Sequence, residues 1–146
     1  GTLVVKIARG EIPVMLDGKL NAVDVQDVAQ GQIAAMKLGK IGRRYILGGH
    51  NTTTAQVIHE ICRLAGVRAP LIRVPISLAL SLCSLDEFLS HRFHKNPKLP
   101  ILGVRFVQYG QHLSIAKAQN ELGYQPHDMA DCYQKAIGWF RKIGYC

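Results

Sequence analysis

The chain has 146 residues, of which 48% are apolar, 7% aromatic and 19% charged, and its net charge is +8. This composition is typical of one globular domain and excludes fibrous and disordered classes. The basic residues are spread over nearly every segment, which argues against a polybasic arm, and no run reaches the roughly 18–20 consecutive apolar residues of a membrane span.

The chain starts at Gly1 without a Met and enters an apolar, helix-like run at once. Residues 2–9 predict a short helix that ends at Gly10, and the apolar stretch 12–16 closes in a turn at residues 17–18. We therefore expect a chain that begins inside a larger fold.

The next unit is predicted as a brief strand, residues 22–25, followed by a helix to about Leu38. Asp27 and Gln30 have the spacing of a capping box, in which the carboxylate accepts an amide proton of the first turn. Gly31 inside this helix costs roughly 1 kcal/mol relative to Ala, which indicates a close approach to a neighbouring element.

Residues 44–47 predict a second strand that ends at Gly48, and the next helix is expected to begin at a capping box formed by Thr53 and Gln56. Gly66 stands where a left-handed C-terminal cap is expected. The apolar face of this helix consists of Val57, Ile58, Ile61, Cys62 and Ala65.

Residues 71–74 predict a third strand, after which Pro75 starts a helix whose leucines recur at helical spacing. Because its first half is apolar almost all round, we expect this helix to be buried. The leucines are Leu78, Leu82, Leu85 and Leu89.

The stretch from Phe88 to Asn120 holds no acidic residue, and Pro97 and Pro100 predict a loop within it. Ser114 is expected to cap a short helix that ends before Gly123, and Asp128 to cap a final helix. Strands and helices alternate, so the predicted fold class is α/β, with few short strands and several helices.

Four cysteines lie at long, irregular spacings without a C-x-x-C motif, which favours reduced thiols in a cytoplasmic protein. Two pairs, His59 with Cys62 and His91 with His94, each place two metal-ligand types on one helical face. Zinc usually needs three or four protein ligands, and no further partner is identifiable, so no metal site is expected. The cysteines are Cys62, Cys83, Cys132 and Cys146.

One cofactor-binding motif and one catalytic motif are missing from the sequence. A glycine-rich G-x-G-x-x-G turn, which lets the backbone approach a pyrophosphate, does not occur. The Gly-x-Ser-x-Gly elbow of serine hydrolases is also absent. Residues 88–120 form a basic stretch, and its aromatic residues follow no stacking motif of nucleic-acid binders. We therefore expect this stretch to face solvent or an anionic small molecule and not a nucleic acid.

Three blocks in fixed order carry a family resemblance. Residues 18–31 read G-K-L-N-A-V-D-V-Q-D-V-A-Q-G, residues 45–56 read Y-I-L-G-G-H-N-T-T-T-A-Q, and residues 116–126 read A-K-A-Q-N-E-L-G-Y-Q-P. Together they resemble the C-terminal part of extended short-chain dehydrogenases/reductases, the NAD-dependent epimerase/dehydratase family, and within it the dihydroflavonol reductase-like and hopanoid-associated sugar epimerase-like branch.

The resemblance implies the substrate-binding lobe of an extended Rossmann-type reductase, with the dinucleotide-binding domain upstream and NAD or NADP held by the full-length parent. The catalytic Tyr-x-x-x-Lys pair of such enzymes is absent from this chain, because the fourth residue after each candidate Tyr is not Lys. Catalytic and cofactor-binding residues are therefore expected to lie outside it, and the chain alone is expected to be inactive. The residues four positions after these tyrosines are Gly49, Leu113, Asp128 and Ile137.

By analogy, the segment 12–19 and the loop 105–112 are expected to face a small-molecule substrate, either a sugar nucleotide or a ketone or alcohol. The position where related epimerases carry an arginine that holds a diphosphate is Leu20 here. The substrate-contacting residues predicted in this way are Ile12, Pro13, Lys19, Arg105 and His112.

Three hypotheses follow from the sequence. The first is a substrate-binding fragment of an NAD(P)-dependent reductase or epimerase. Such a fragment would pack against the missing N-terminal domain and is compatible with a homo-oligomer. The second is a noncatalytic relative that binds a dinucleotide or a partner as a sensor. The third is an autonomous basic module, which would bind nucleic acid with an affinity that falls steeply with salt.

Overall fold

The computed structural model describes residues 1–92 and 101–146, apart from the side chains of Leu89 and Ile101. Over these ranges the chain forms seven helices and four short strands. In chain order they are α1 (Thr2–Ala8), β1 (Val14–Met15), β2 (Lys19–Ala22), α2 (Val25–Leu38), β3 (His50–Thr53), α3 (Thr54–Ala65), β4 (Ile72–Arg73), α4 (Ile76–Arg92), α5 (Ile101–Gln108), α6 (Ala116–Leu122) and α7 (Met129–Lys142).

The strands form two separate two-stranded sheets. β1 runs parallel to β4, with Val14 opposite Ile72, and β2 runs antiparallel to β3, with Lys19 opposite Thr53. The predicted α/β class with few short strands is confirmed, and the helices supply most of the packing. None of the described helices is both long and apolar enough to cross a membrane.

The largest apolar cluster lies where α1, α3 and α7 meet. Ile7 and Ile61 are each 1% exposed, and Ile137 of α7 is 3% exposed. The predicted apolar face of α3 is confirmed, since Ile58, Ile61 and Cys62 all belong to this cluster. Burying each such aliphatic side chain contributes about 2 kcal/mol of transfer free energy.

The ends of α3 agree with the sequence signals. Thr53 accepts a hydrogen bond from the Gln56 amide, and the Gln56 side chain accepts one from the Thr53 amide, which completes the predicted capping box. Gly66 ends the helix at a φ of 75°, a left-handed conformation that favours glycine.

The start of α2 differs from the prediction. The strand ends at Ala22 instead of Val25, and Asp24 caps the helix by accepting from the Gln26 amide at 2.9 Å. Asp27 therefore lies inside the first turn, is 1% exposed, and accepts hydrogen bonds from the backbone and the ring of His127. The carboxylate that the sequence assigned to a cap instead ties α2 to the connection between α6 and α7.

Residues 44–47 do not form the predicted strand, since the backbone pairs only from His50 onward. Side-chain contacts hold this stretch instead. The Tyr45 hydroxyl donates to Glu121 at 2.7 Å, and Leu47 lies against Gly31, where an added Cβ would come within 2.7 Å of a Leu47 methyl. The close approach predicted at Gly31 is therefore confirmed.

The prediction of a buried α4 is wrong for three of its four predicted leucines, and the side chain of the fourth, Leu89, lies outside the described residues. Leu78, Leu82 and Leu85 are 51%, 48% and 55% exposed, whereas the smaller Ala79 and Cys83 face inward. Because the described residues supply only α5 as a substantial neighbour, one flank of α4 remains open to solvent.

Of the two N-caps predicted near the end of the chain, one is present and one is not. Asp128 caps α7 by accepting from the Ala130 amide, as predicted. The residue before α6 is Ile115, without a side-chain cap, so Ser114 is not the predicted N-cap. The pair His91 and His94 cannot be evaluated, because His94 lies outside the described residues, as do Pro97 and Pro100.

All four cysteines are free thiols. Burial, followed by a hydrogen bond to Asp24, raises the pKa of Cys132 from its ordinary value of 9.0 to about 11. Burial also raises the pKa of the neighbouring Tyr133 from 10.0 to about 12. Both groups therefore stay protonated to a higher pH in the folded protein than in the unfolded chain.

These shifts predict a loss of stability in alkaline solution. Since each folded-state pKa lies above its unfolded value, the stabilisation is complete below pH 9 and is lost as the pH rises to about 12. Urea denaturation between pH 8 and pH 12 measures the loss. In Cys132→Ala the decline between pH 9 and pH 11 should be shallower, and an unchanged decline would contradict the assignment to Cys132.

Candidate functional site

An open cleft of about 690 Å³ lies between β2 and α5. Its walls combine aliphatic and aromatic side chains with two cations. The lining residues are Lys19, Leu20, Asn21, Leu102, Arg105, Phe106, Tyr109, Gly110, Gln111 and Leu113.

The apolar wall of the cleft comes mainly from one face of α5 and the turn after it. Leu102, Phe106 and Tyr109 follow at i, i+4 and i+7, so they lie on one side of the helix. They are 77%, 68% and 72% exposed, whereas Val104 on the opposite side is 8% exposed. The helix thus packs through its small inner face and presents its large side chains to the cleft.

Glycines allow α5 to approach β2 closely. A Cβ at Gly18 would lie 2.4 Å from the Val107 carbonyl oxygen, and a Cβ at Gly110 would lie 1.8 Å from the Lys19 carbonyl oxygen. Both distances are far below van der Waals contact, so no larger residue fits either position without movement of the backbone. The width of the cleft therefore depends on these two glycines.

Hydrogen bonds from β3 fix the segment after α5. The Asn51 carboxamide accepts from the Leu113 amide and donates to the Leu113 carbonyl, both at 2.9 Å. The His112 ring bonds the Thr52 carbonyl oxygen at 3.0 Å. Asn51 also accepts from the Asn21 side chain at 2.8 Å, which joins β2 to the same network.

Replacing Asn51 by Ala should loosen the segment 109–113 and lower the free energy of unfolding by about 2 kcal/mol, because it removes three hydrogen bonds at a partly exposed site. Hydrogen exchange at the Leu113 amide, followed by NMR, should accelerate more than exchange in α7. Asn51→Asp serves as a second variant, since it keeps both accepted hydrogen bonds but replaces the donor with a charged oxygen that faces the Leu113 carbonyl. Equal exchange rates in the wild type and Asn51→Ala would contradict this role.

The structure places the five substrate residues predicted from the sequence in different surroundings. Lys19 and Arg105 both line the cleft. His112 lies beside it, with its ring engaged by Thr52. Ile12 packs against the main core, and Pro13 is exposed and lies outside the cleft.

Sequence reasoning missed the apolar wall, because it treated residues 105–112 as a loop whereas α5 extends to Gln108. The i, i+4, i+7 spacing of Leu102, Phe106 and Tyr109 could have revealed this face once a helix was considered. Because Pro97 and Pro100 predict a loop, the helix that follows them in the chain was not predicted.

A second open groove, of about 760 Å³, lies between α3 and the start of α7. Three of its polar side chains have partners: Glu60 and Arg63 form an ion pair at 2.5 Å, and His50 bonds the His127 carbonyl at 2.9 Å. The Arg63 guanidinium lowers the pKa of Glu60. Across residues 1–92 and 101–146, no group of three or more His, Cys, Asp or Glu side chains could hold a metal ion.

No family model matches the chain. It is 29% identical over 149 residues to a dihydroflavonol 4-reductase-like protein of Synechocystis, a match that covers 99% of this chain and 43% of the relative. It is 25% identical over 146 residues to sterol demethylase protein B of Methylococcus capsulatus, covering 99% of this chain and 44% of that protein. The chain thus spans less than half the length of these relatives.

Solved structures match nearly the whole of this chain and less than half of their own length. The nucleoside-diphosphate-sugar epimerase PA4631 of Pseudomonas aeruginosa superposes with a TM-score of 0.80 at 29% identity, over 99% of this chain and 43% of that one. The structure of gox2253 gives a TM-score of 0.79 at 32% identity, over 99% and 44%. WbmF of Bordetella bronchiseptica, solved with NAD⁺ and UDP, shares the fold at 23% identity and a TM-score of 0.61, over 97% of this chain and 36% of that one.

These likenesses confirm the resemblance inferred from the three sequence blocks. The chain is homologous to reductase-like and epimerase proteins, and its fold matches the C-terminal part of epimerase/reductase structures.

Proposed function

We propose that the chain is the substrate-binding region of an NAD(P)-dependent oxidoreductase or epimerase that acts on a sugar nucleotide or on a ketone or alcohol. The observation that carries the proposal is the cleft between β2 and α5, where Lys19 and Arg105 stand beside an apolar wall. A concave, largely apolar surface with a few polar groups is the usual form of a small-molecule site. The reductase-like and epimerase relatives support the reaction class.

The residues present do not fit a dinucleotide site. The sequence contains neither a glycine-rich phosphate loop nor a Tyr-x-x-x-Lys pair. In the proposal NAD or NADP is held by a dinucleotide-binding domain outside these residues and supplies the hydride chemistry. The chain's own task is to bind the substrate and to orient its reacting carbon toward that domain, and it is inactive alone.

The proposal is tested on the full-length parent with a panel of nucleotide sugars, ketosteroids and flavonoid-type ketones. Oxidation or reduction of the nicotinamide, or epimerisation of a sugar, with one of these classes supports it. A parent that binds NAD(P) and turns over none of them would contradict the enzymatic function and favour the noncatalytic relative.

A stripe of apolar side chains on α2 supports docking of a further domain. Val25, Ala29, Ile33 and Met36 follow at i, i+4, i+8 and i+11, which places them on one face of the helix. Val25 and Met36 are each 78% exposed, and Ile33 is 51% exposed. Contiguous exposed apolar surface of this kind marks an interaction site, and in the proposal the missing N-terminal domain covers it.

The isolated chain is therefore expected to self-associate through the α2 stripe. Sedimentation velocity at rising concentration should detect species larger than a 16.1 kDa monomer. The double variant Ile33→Gln with Met36→Gln should shift the population toward monomer. The control Ile41→Gln with Leu71→Gln changes two residues that are 104% and 94% exposed but lie outside the stripe, and an equal shift in this control would contradict the assignment.

A further inference from the structure

We infer that the cleft between β2 and α5 is built for an apolar ring compound that carries one carboxylate, in preference to a sugar nucleotide. The inference rests on the proposed function, since it names the substrate class of the same site. Three features of the cleft carry it: the apolar wall, two cations without partners among the described residues, and a shortage of free hydrogen-bond acceptors.

The apolar wall favours a flat or fused-ring body. Phe106 and Tyr109 lie one turn apart on the same face, with Leu102 before them and Leu20 of β2 among the residues opposite. Aromatic rings bury a large area at low conformational cost and pack edge-on or face-on against other rings. A ligand with a ring system would cover side chains that are otherwise about 70% exposed.

The two cations of the cleft lack partners within the described ranges. Neither Lys19 nor Arg105 makes a hydrogen bond or an ion pair through its side chain with residues 1–92 or 101–146, and no Asp or Glu lines the cleft. Both residues are exposed, and an anionic ligand in the cleft would complement their charge. A guanidinium can donate two parallel hydrogen bonds to a planar carboxylate, so Arg105 is the residue that binds the carboxylate of the ligand.

The cleft offers few acceptors for the hydroxyl groups of a sugar. The carboxamide of Asn21, one of the lining residues, is already engaged: it donates to the Gly49 carbonyl at 3.2 Å and to Asn51 at 2.8 Å, and accepts from the Gly49 amide at 2.9 Å. Among the described lining residues, only Gln111 and the Tyr109 hydroxyl remain as neutral polar side chains. Buried hydroxyls without acceptors reduce affinity, so this chemistry disfavours a sugar.

The test is equilibrium dialysis of the full-length parent with three probes, since the isolated chain is expected to self-associate. The first is 3-oxo-4-androstene-17β-carboxylate, which combines a fused-ring ketone with one carboxylate. The second is 4-androstene-3,17-dione, which has the same ring system without the charge, and the third is UDP-glucose. We expect the acid to bind about tenfold more tightly than the dione, and the dione more tightly than UDP-glucose.

Variants locate the interaction. Arg105→Gln should weaken binding of the acid about tenfold and leave the affinity for the dione unchanged. Arg105→Lys should keep part of the preference for the acid over the dione. Phe106→Ala should weaken both steroids about tenfold. Phe88→Ala and Lys142→Gln serve as controls, because Phe88 is 69% exposed on α4 and Lys142 is exposed on α7, both outside the cleft.

The outcomes separate this inference from the proposed function. Equal affinity for acid and dione, or tighter binding of UDP-glucose that depends on Arg105, would overturn the ligand class and keep the cleft as a substrate site. Binding that does not respond to Arg105 or Phe106 with any probe would overturn both.

Discussion

Replacement of Gly110 by Ala is expected to lower the free energy of unfolding by about 3 kcal/mol, the upper part of the range for overpacked sites. The added Cβ would lie 1.8 Å from the Lys19 carbonyl oxygen and 3.3 Å from that of Val107. Both neighbours are backbone atoms of β2 and α5, so relief requires the end of α5 to move away from β2. The same movement would widen the cleft and weaken ligand binding.

Chemical denaturation of wild type and Gly110→Ala measures this loss. Gly138→Ala is the matched control, since Gly138 lies inside α7 and an added Cβ meets nothing within 4 Å. There Ala should stabilise the protein by up to about 1 kcal/mol, because glycine is a poor helix former. A loss below about 1 kcal/mol for Gly110→Ala would show that α5 does not rest on β2 as described.

The parts of the fold that follow from local signals could be predicted from the sequence. The capping box at Thr53 and Gln56, the left-handed Gly66 and the cap at Asp128 each depend on residues within one turn of the chain. The apolar face of α3 is likewise set by helical spacing, and the structure buries it. Such signals need no knowledge of distant partners.

The errors occur where distant contacts decide the conformation. Residues 44–47 have the composition of a strand, yet Tyr45 and Leu47 are held by side-chain contacts with α6 and α2 instead of a strand partner. The helix α2 begins earlier than predicted, because β2 pairs with β3 only over Lys19–Ala22 and Asp24 is then free to cap the helix. β propensity reflects such surroundings more than the backbone itself.

The candidate site was predictable only in its charges. Lys19 and Arg105 are far apart in sequence, and only the analogy with reductases and epimerases assigns both of them to a substrate site. The wall formed by Leu102, Phe106 and Tyr109 has a helical spacing that the sequence shows, but it was missed because residues 105–112 were treated as a loop. That this face lies beside β2 could not be predicted, because it depends on the close contact between backbones at Gly18 and Gly110.

Asp27 is the polar residue whose loss should cost the most stability. It is 1% exposed, accepts from the His127 amide at 2.9 Å, and also accepts from the His127 ring at Nδ1. The nearby Tyr124 is 4% exposed, and its pKa is raised by burial and further by the negative charge of Asp27. The Asp27 carboxylate thus joins α2 to the connection before α7, two segments about a hundred residues apart.

Asp27→Ala should therefore lower the free energy of unfolding by about 3 kcal/mol, because it leaves a cavity and deprives the His127 amide of its acceptor. His127→Ala should cost about 1 kcal/mol, since the backbone bond remains and the ring is 67% exposed. Asp24→Ala, which removes only the cap of α2, should also cost about 1 kcal/mol. Urea denaturation ranks the three variants, and exchange at the His127 amide should accelerate only in Asp27→Ala; equal losses in Asp27→Ala and Asp24→Ala would contradict the central role of Asp27.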